Sequence, residues 1–126
     1  MIVIDASVLI GHLGADDAHH ARAFDVLDTE DEIGVHPVTV AEALVLPARE
    51  HRDAEVLGAL DRIGIDRLAP DDAEPQRVAR LRAETGLGLP DCYVLAAAER
   101  LAAGLATFDA RLAAAARSRG VTVLGA

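Results

Sequence analysis

The chain begins with Ile2-Val3-Ile4-Asp5, three aliphatic residues that end in an acid, and a helical segment predicted over Ala6–Leu13 follows directly. A short aliphatic run of this kind predicts a buried strand. The same order recurs near the other end of the chain, where Leu105–Phe108 is followed by Asp109 and by a helix predicted over Ala110–Ser118. A strand that leads at once into a helix is the repeating unit of a parallel α/β sheet.

The rest of the chain alternates in the same way between short aliphatic runs and segments of helical period. Further strands are predicted at Glu32–Val35, Ile65–Leu68 and Val121–Leu124. Further helices are predicted at Ala18–Leu27, Pro37 to about Arg49, Ala54–Ile63, Ala73–Glu84 and Pro90 to about Ala103, with Gly64 and Gly104 closing two of them. Asp16-Asp17 and Asp71-Asp72 are predicted as turns or caps. The sequence therefore predicts an α/β fold in which helices cover both faces of a parallel sheet.

Composition limits the class of protein. At 126 residues the chain is predicted to form one domain, 1–126, and with 52% hydrophobic but 2% aromatic residues its core must be built from Ala, Val, Leu and Ile. Cys92 is the one cysteine, which favours a reducing, cytoplasmic compartment. We expect neither a signal peptide, because no basic region or long apolar run precedes Asp5, nor a membrane span, because Glu99 interrupts the best apolar stretch.

The net charge is −9, and all 12 basic residues are arginine. Polyanions prefer basic surfaces, so this charge argues at first sight against nucleic acid as a partner. The inference is weak, because an acidic metal site would supply several of these charges and a bound cation would change the local sign.

Four acids lie inside or at the edge of apolar segments: Asp5, Glu42, Asp91 and Asp109. A carboxylate among aliphatic groups costs several kcal/mol unless a positive group meets it, and the chain has no lysine. Asp5 and Asp109 each follow a strand, so both are expected at the carboxyl edge of the sheet, where sites form in open parallel sheets.

Each aspartate alone has a simpler explanation. Asp5 and Asp109 precede helices and would serve as N-caps. Asp91 follows Pro90 in a first helical turn, where the helix dipole favours a negative charge. Glu42 favours a site instead, because its helical neighbours, Val38 and Leu46 among them, are mostly apolar and predict that it points along the buried stripe.

Four convergent carboxylates would repel each other and raise one another's pKa values, a conflict that a hard cation removes. Mg²⁺ or Mn²⁺ suits such oxygen ligands, whereas zinc is disfavoured because Cys92 is the only His or Cys beside the four acids. Ser7 and Thr107 could orient a carboxylate or a water, although local hydrogen bonding explains each alone more often. Among the other candidates, His19-His20 is interpreted as one solvated residue and one core contact, His36 as isolated and Cys92 as a buried filler.

These segments resemble the PIN-domain ribonucleases, and specifically the VapC toxins of bacterial type II toxin–antitoxin systems. The matching pieces are Ile2-Val3-Ile4-Asp5-Ala6-Ser7-Val8-Leu9, Thr39-Val40-Ala41-Glu42-Ala43-Leu44, Leu89-Pro90-Asp91 and Leu105-Ala106-Thr107-Phe108-Asp109. They span nearly the whole chain in the order of the family. Each motif alone is weak, and the four together are fairly specific.

The resemblance implies a PIN-like three-layer sandwich with a central parallel sheet of about five strands. It also implies a Mg²⁺-dependent endoribonuclease, with Mn²⁺ able to substitute. Asp5, Glu42, Asp91 and Asp109 would then be the catalytic cluster and the metal ligands, with Ser7 or Thr107 assisting. The implied partners are an RNA substrate, a cognate VapB-like antitoxin and a second copy of the chain in a homodimer.

Two alternatives come from other functional classes. A receiver-like signalling domain also gathers aspartates at strand ends, but it needs a lysine that this chain lacks. A catalytically weak PIN-like module that binds RNA or protein stays open, and metal titration with a cleavage assay would separate it from an enzyme.

Overall fold

The computed structural model describes residues 1–14 and 17–126, so the turn predicted at Asp16-Asp17 lies partly outside the described residues. Five strands are present: β1 (Ile2–Ile4), β2 (Ile33–Val35), β3 (Asp66–Arg67), β4 (Gly104–Ala106) and β5 (Val123–Leu124). The helices are α1 (Ala6–Leu13), α2 (His20–Asp28), α3 (Pro37–Arg49), α4 (Asp53–Arg62), α5 (Glu74–Thr85), α6 (Leu89–Arg100) and α7 (Ala110–Ser118). Within the described ranges, no helix is both long enough and apolar enough to cross a membrane.

The strands form one sheet in the order β3-β2-β1-β4-β5, and every neighbouring pair is parallel. The first strand of the chain is therefore the central one. Its last residue, Ile4, pairs with Val35 of β2 on one side and with Ala106 of β4 on the other. Because the three strands end in register, the residues that follow them, Asp5, His36 and Thr107, emerge side by side at the carboxyl edge.

Helices cover both faces of the sheet, as the alternation within β1 requires. Val3 packs into a core formed with α5, α6 and α7. Ile2 and Ile4 point the other way, into a second core formed with α1, α2, α3 and α4. Both cores are mainly small and branched aliphatic residues, as composition predicts. The predicted α/β three-layer architecture with a five-stranded parallel sheet is confirmed.

Several predicted boundaries are wrong by a few residues. The strand predicted at Ile65–Leu68 contracts to Asp66–Arg67, an exposed edge strand with one neighbour. Gly104 was predicted to close the helix before it, but it is the first residue of β4. The chain instead turns at Ala102, whose φ of 50° places a non-glycine residue in the left-handed region.

Candidate functional site

Asp5 occupies the end of β1 and the N-cap of α1, and it is only 4% exposed. Its Oδ1 accepts hydrogen bonds from the backbone N–H of Val8 at 3.1 Å and from the hydroxyl of Ser7 at 2.6 Å. Its Oδ2 accepts a hydrogen bond from the hydroxyl of Thr107 at 2.5 Å. Asp5 is thus both a helix cap and a buried carboxylate fixed by two side chains.

The environment of Asp5 acts on its charge in two opposing ways. Burial raises the pKa of Asp5, while the hydrogen bonds from Ser7, Thr107 and Val8 lower it. The backbone N–H of Ser7 adds a further hydrogen bond that lowers the pKa. Four donors thus converge on this carboxylate, about as many as it can accept, and they fix its orientation.

The two hydroxyls also join the ends of β1 and β4. Thr107 Oγ1 accepts a hydrogen bond from the backbone N–H of Asp109 at 2.9 Å while it donates to Asp5. Ser7 Oγ accepts from the backbone N–H of Phe108, also at 2.9 Å. The structure therefore places both predicted hydroxyls against Asp5. Thr107 also makes the local backbone bond that was the simpler explanation, whereas the backbone partner of Ser7 is Phe108 on the distant β4 end.

Asp109 and Asp91 lie at helix starts on the same side of the site. Asp109 is the N-cap of α7, where its Oδ1 accepts from the backbone N–H groups of Arg111 and Leu112, both at 2.9 Å, and its side chain is exposed. Asp91 lies in the first turn of α6 and is half-buried. Both positions suit a negative charge at a helix N-terminus.

The predicted orientation of Glu42 along the buried stripe of its helix is wrong. The face of α3 that packs on the sheet is formed by Thr39, Val40 and Ala43, whereas Glu42 is exposed. The apolar pattern of the helix predicts that Leu46 belongs to the buried stripe, but its side chain is 61% exposed. Glu42 consequently lies at the margin of the buried face and reaches the site from the solvent side.

Asp91 is close enough to Asp5, Glu42 and Asp109 for their negative charges to interact with its own. Partial burial raises the pKa of Glu42, and the negative charges of Asp91 and Asp5 raise it further. Burial likewise raises the pKa of Asp91, with additional contributions from Asp109 and Asp5. Arg111 lowers the pKa of Asp91, and within the described residues none of the four acids forms an ion pair.

The donor set can be compared with what a divalent cation requires. In residues 1–14 and 17–126, no three His, Cys, Asp or Glu side chains are arranged as a ready-made metal cage. Mg²⁺ does not need one, because it keeps several waters and is usually bound through one or two carboxylates. Oxygen donors and repulsion among the acids both fit a hard cation of this kind.

Comparison with known proteins identifies the family. The sequence matches the family model of the PIN domain over residues 2–118. The chain belongs to the PIN domain family. The resemblance predicted from the four acidic motifs is thereby confirmed at the level of the family. Among curated proteins, no significant match to this PIN domain is found.

Solved structures of low sequence identity share the fold. VapC20 from Mycobacterium tuberculosis, described as a sarcin–ricin loop cleaving toxin, has a TM-score of 0.73 at 21% identity, covering 91% of this chain and 95% of that one. A chain of a toxin–antitoxin complex from Klebsiella pneumoniae has a TM-score of 0.72 at 23% identity, covering 86% and 87%. FitAcB from Neisseria gonorrhoeae has a TM-score of 0.73 at 20% identity, covering 98% and 96%.

Sequence analysis missed one buried polar pair in this PIN domain. His36, interpreted as isolated, follows β2 at the same edge as Asp5, and its Nε2 lies 2.9 Å from Glu74 Oε1. The two residues are 5% and 4% exposed. His36 Nδ1 accepts from the backbone N–H of Val38, so Nε2 carries the hydrogen that Glu74 accepts. The partners are 38 positions apart, and no local pattern connects them.

Two other interpretations stand. Cys92 is fully buried, and burial raises the pKa of its thiol, which suits a core filler and not a nucleophile. His20 is half-buried with its ring 2.9 Å from the carbonyl oxygen of Gly11. His19 differs from the solvated residue expected, because its ring stacks on Phe108 with centroids 4.6 Å apart.

Proposed function

We propose that this PIN domain is a Mg²⁺-dependent endoribonuclease of the VapC type, which hydrolyses RNA phosphodiester bonds. The observation that carries the proposal is that Asp91 lies close enough to Asp5, Glu42 and Asp109, which come from three other segments, for their charges to interact. Family membership and the fold shared with VapC20 point to the same class of activity. Mn²⁺ is expected to replace Mg²⁺, since both prefer carboxylate and water ligands.

Each carboxylate has a role that follows from its surroundings. Asp5 is held in place by the hydroxyls of Ser7 and Thr107 and by the backbone, so it would be a fixed metal ligand. Asp91 and Asp109 would complete the acidic site from the other side. A bound Mg²⁺ supplies a Lewis acid that polarises the phosphate and lowers the pKa of a water. Glu42, exposed and with a raised pKa, is suited to accept the proton of the attacking water.

Cleavage by the purified chain tests this proposal. Wild type should cut RNA in Mg²⁺ and stop when EDTA removes the metal. Asp91→Asn and Glu42→Gln should each lower the rate by about 10²-fold or more, the usual contribution of a positioned acid or base. Asp61→Asn is the matched control, because Asp61 is exposed and pairs with Arg67 away from the site. An Asp91→Asn variant that cuts at the wild-type rate would refute the assignment.

A catalytically weak PIN-like binding module is the second candidate, and the exposed positions of Glu42 and Asp109 at the margin of the site favour it. Such a module would bind RNA in Mg²⁺ without producing new 5′ or 3′ ends. Sequencing of RNA ends after brief expression, with Asp91→Asn as the reference, separates the two functions. The same experiment identifies which RNA is cut.

We also propose a VapB-like antitoxin and a second copy of the chain as partners, acting in the cytoplasm. The K. pneumoniae relative is a toxin–antitoxin complex. Ile10, Leu13, Leu46 and Val56 line an apolar groove of about 310 Å³ that also reaches Glu42. A bound antitoxin segment in this groove would lie directly beside the acidic site. The homodimer is tested by the sedimentation mass of the purified chain.

A further inference from the structure

Two arginines converge on the loop that leads into α6. Nη1 of Arg82 donates hydrogen bonds to the carbonyl oxygens of Gly86 at 2.7 Å and Leu87 at 2.8 Å. Nη2 of Arg111 donates to the same Gly86 oxygen at 3.1 Å. Because both nitrogens bind the same oxygen, the two guanidinium groups lie close together. Gly86 permits this arrangement because its φ of 72° closes α5 in the left-handed conformation.

Within the described residues, neither Arg82 nor Arg111 forms an ion pair with a carboxylate, although the charge of Arg111 lowers the pKa of Asp91. Elsewhere in the described chain, arginines that approach an acid do form ion pairs; these are Arg52, Arg67, Arg77, Arg100 and Arg119. Each guanidinium has five N–H donors, and a single carbonyl oxygen is a weak counterpart for two of these groups. Both side chains are exposed, so an anion from solution can reach them.

The arginine pair lies beside the acidic site. Arg111 is two residues after Asp109, and its positive charge lowers the pKa of Asp91. The Gly86-Leu87-Gly88 loop between the arginines leads directly into the first turn of α6, where Asp91 lies. A chain with a net charge of −9 thus presents two arginines without ion-pair partners next to Asp91.

We propose that Arg82 and Arg111 together bind a backbone phosphate of the RNA strand, adjacent to the phosphate that reacts at the carboxylates. This inference rests on the proposed function. A guanidinium binds a phosphate through parallel N–H donors, and two guanidinium groups that repel each other gain most from a shared anion. A strand whose reacting phosphate lies at Asp91 carries its neighbouring phosphates close by, and the exposed arginine pair is accessible to one of them.

A purely structural role explains Arg82 better than Arg111. Arg82 alone already binds both carbonyl oxygens of the loop. Arg111 adds a second donor to an oxygen that is already bound, at the cost of bringing two like charges together. A bound phosphate would offset that repulsion and would stabilise Arg111 in the conformation that extends to the loop.

RNA binding tests the phosphate site without depending on cleavage. A fluorescein-labelled single-stranded RNA is titrated in Mg²⁺ against Arg111→Gln, Arg82→Gln and Arg62→Gln, all in a Glu42→Gln background, over a series of NaCl concentrations. Arg62 is the matched control, because it is exposed at the end of α4. It precedes β3, the edge strand at the far side of the sheet from β5. Each site variant should weaken binding and reduce the salt slope by about 0.7, the value expected for one lost contact with a single strand.

The outcomes separate this inference from the proposed function. Equal affinity and salt slope for Arg111→Gln and Arg62→Gln would overturn the phosphate site. Loss of antitoxin binding with unchanged RNA binding would also overturn it and assign the pair to a protein partner. If wild type binds RNA through both arginines but never cuts it, the phosphate site stands and the nuclease proposal fails. Arg111→Lys, which keeps the charge, should retain most of the salt slope if the contact is to phosphate.

Discussion

The folded chain holds three carboxylates, Asp5, Glu42 and Asp91, whose pKa values are raised first of all by burial. When the folded pKa of an acid exceeds its unfolded value, the folded state binds the proton more tightly. The stability that this group contributes is then present below the unfolded pKa and is lost as the pH rises through the folded pKa. Without metal, the site therefore destabilises the fold at neutral pH.

Asp91→Asn should consequently stabilise the metal-free chain at pH 7. Removal of one charge from a cluster of neighbouring acids is worth on the order of 1 kcal/mol. The gain should shrink as the pH falls toward the raised pKa of Asp91, because the wild-type carboxyl group becomes protonated there. Urea unfolding in EDTA at several pH values measures it. A variant less stable than wild type at pH 7, or a gain independent of pH, would contradict this view of the site.

At single residues, sequence predicts position better than orientation. Asp5 emerges at the carboxyl edge as predicted, because it directly follows a parallel strand. Asp109 was expected directly after a strand at Leu105–Phe108, but β4 ends at Ala106 and Thr107 takes that position. Glu42 was predicted to point inward because apolar residues surround it at helical spacing, but Thr39, Val40 and Ala43 form the buried face. Periodicity cannot tell which of two apolar stripes of α3 meets the sheet, since Leu46 is apolar and exposed.

Between elements, the buried pair of His36 and Glu74 joins the end of β2 to the start of α5. Glu74→Ala should lower the free energy of unfolding by about 1–3 kcal/mol, because it leaves the His36 Nε2–H buried without an acceptor. Glu74→Gln keeps a side-chain oxygen and should be milder. Urea denaturation measures both, with Asp61→Asn as a control for an exposed ion pair. Equal stability of Glu74→Ala and the control would show that the pair contributes nothing.

The loop before α6 depends on Gly86, and Gly64 offers a matched comparison. Both have φ near 70°, at 72° and 75°, so alanine at either position should cost about 1–2 kcal/mol of stability. Of these two glycines, only Gly86 lies in the loop between Arg82 and Asp91. Gly86→Ala should therefore weaken RNA binding or cleavage beyond its loss of stability, whereas Gly64→Ala should not. Equal effects on function in stability-matched conditions would argue against a role for the loop.

At this scale, the order and type of elements could be predicted and their ends could not. The strand predicted at Ile65–Leu68 contracts because it is an edge strand with a single partner. The turn after α6 falls at Ala102 instead of Gly104, because Gly104 pairs with Ile2 in the sheet. In both cases long-range pairing, which no local pattern records, decides the boundary.

For the molecule as a whole, exposed apolar residues are the feature that suits an antitoxin. Leu46→Ser should leave the fold intact, since Leu46 is 61% exposed, and should weaken antitoxin binding about tenfold or more. Ile63→Ser is the control, because Ile63 is 42% exposed at the end of α4 and does not line the groove. Pull-down of each variant with the product of the adjacent reading frame gives the comparison. An equal loss for both variants would exclude the groove.

Net charge is also a property of the whole chain, and −9 is a poor guide to the RNA binding proposed for it. The acids of the proposed site interact with one another, and a divalent cation there would neutralise part of their charge. Arg82 and Arg111, which form no ion pair within the described residues, lie beside Asp91. Total charge could be predicted from the sequence, but this local distribution depends on how β1, α3, α6 and β4 converge.

The central claim is that the acidic edge holds a divalent cation, and direct Mn²⁺ binding, followed by the electron paramagnetic resonance signal of the free ion, tests it most directly. Wild type should bind Mn²⁺ in competition with Mg²⁺, and Asp91→Asn and Glu42→Gln should each weaken binding about tenfold or more. Asp61→Asn should bind as wild type does. If wild type leaves Mn²⁺ free, or if Asp91→Asn binds it as tightly as wild type, the acidic edge is not a metal site.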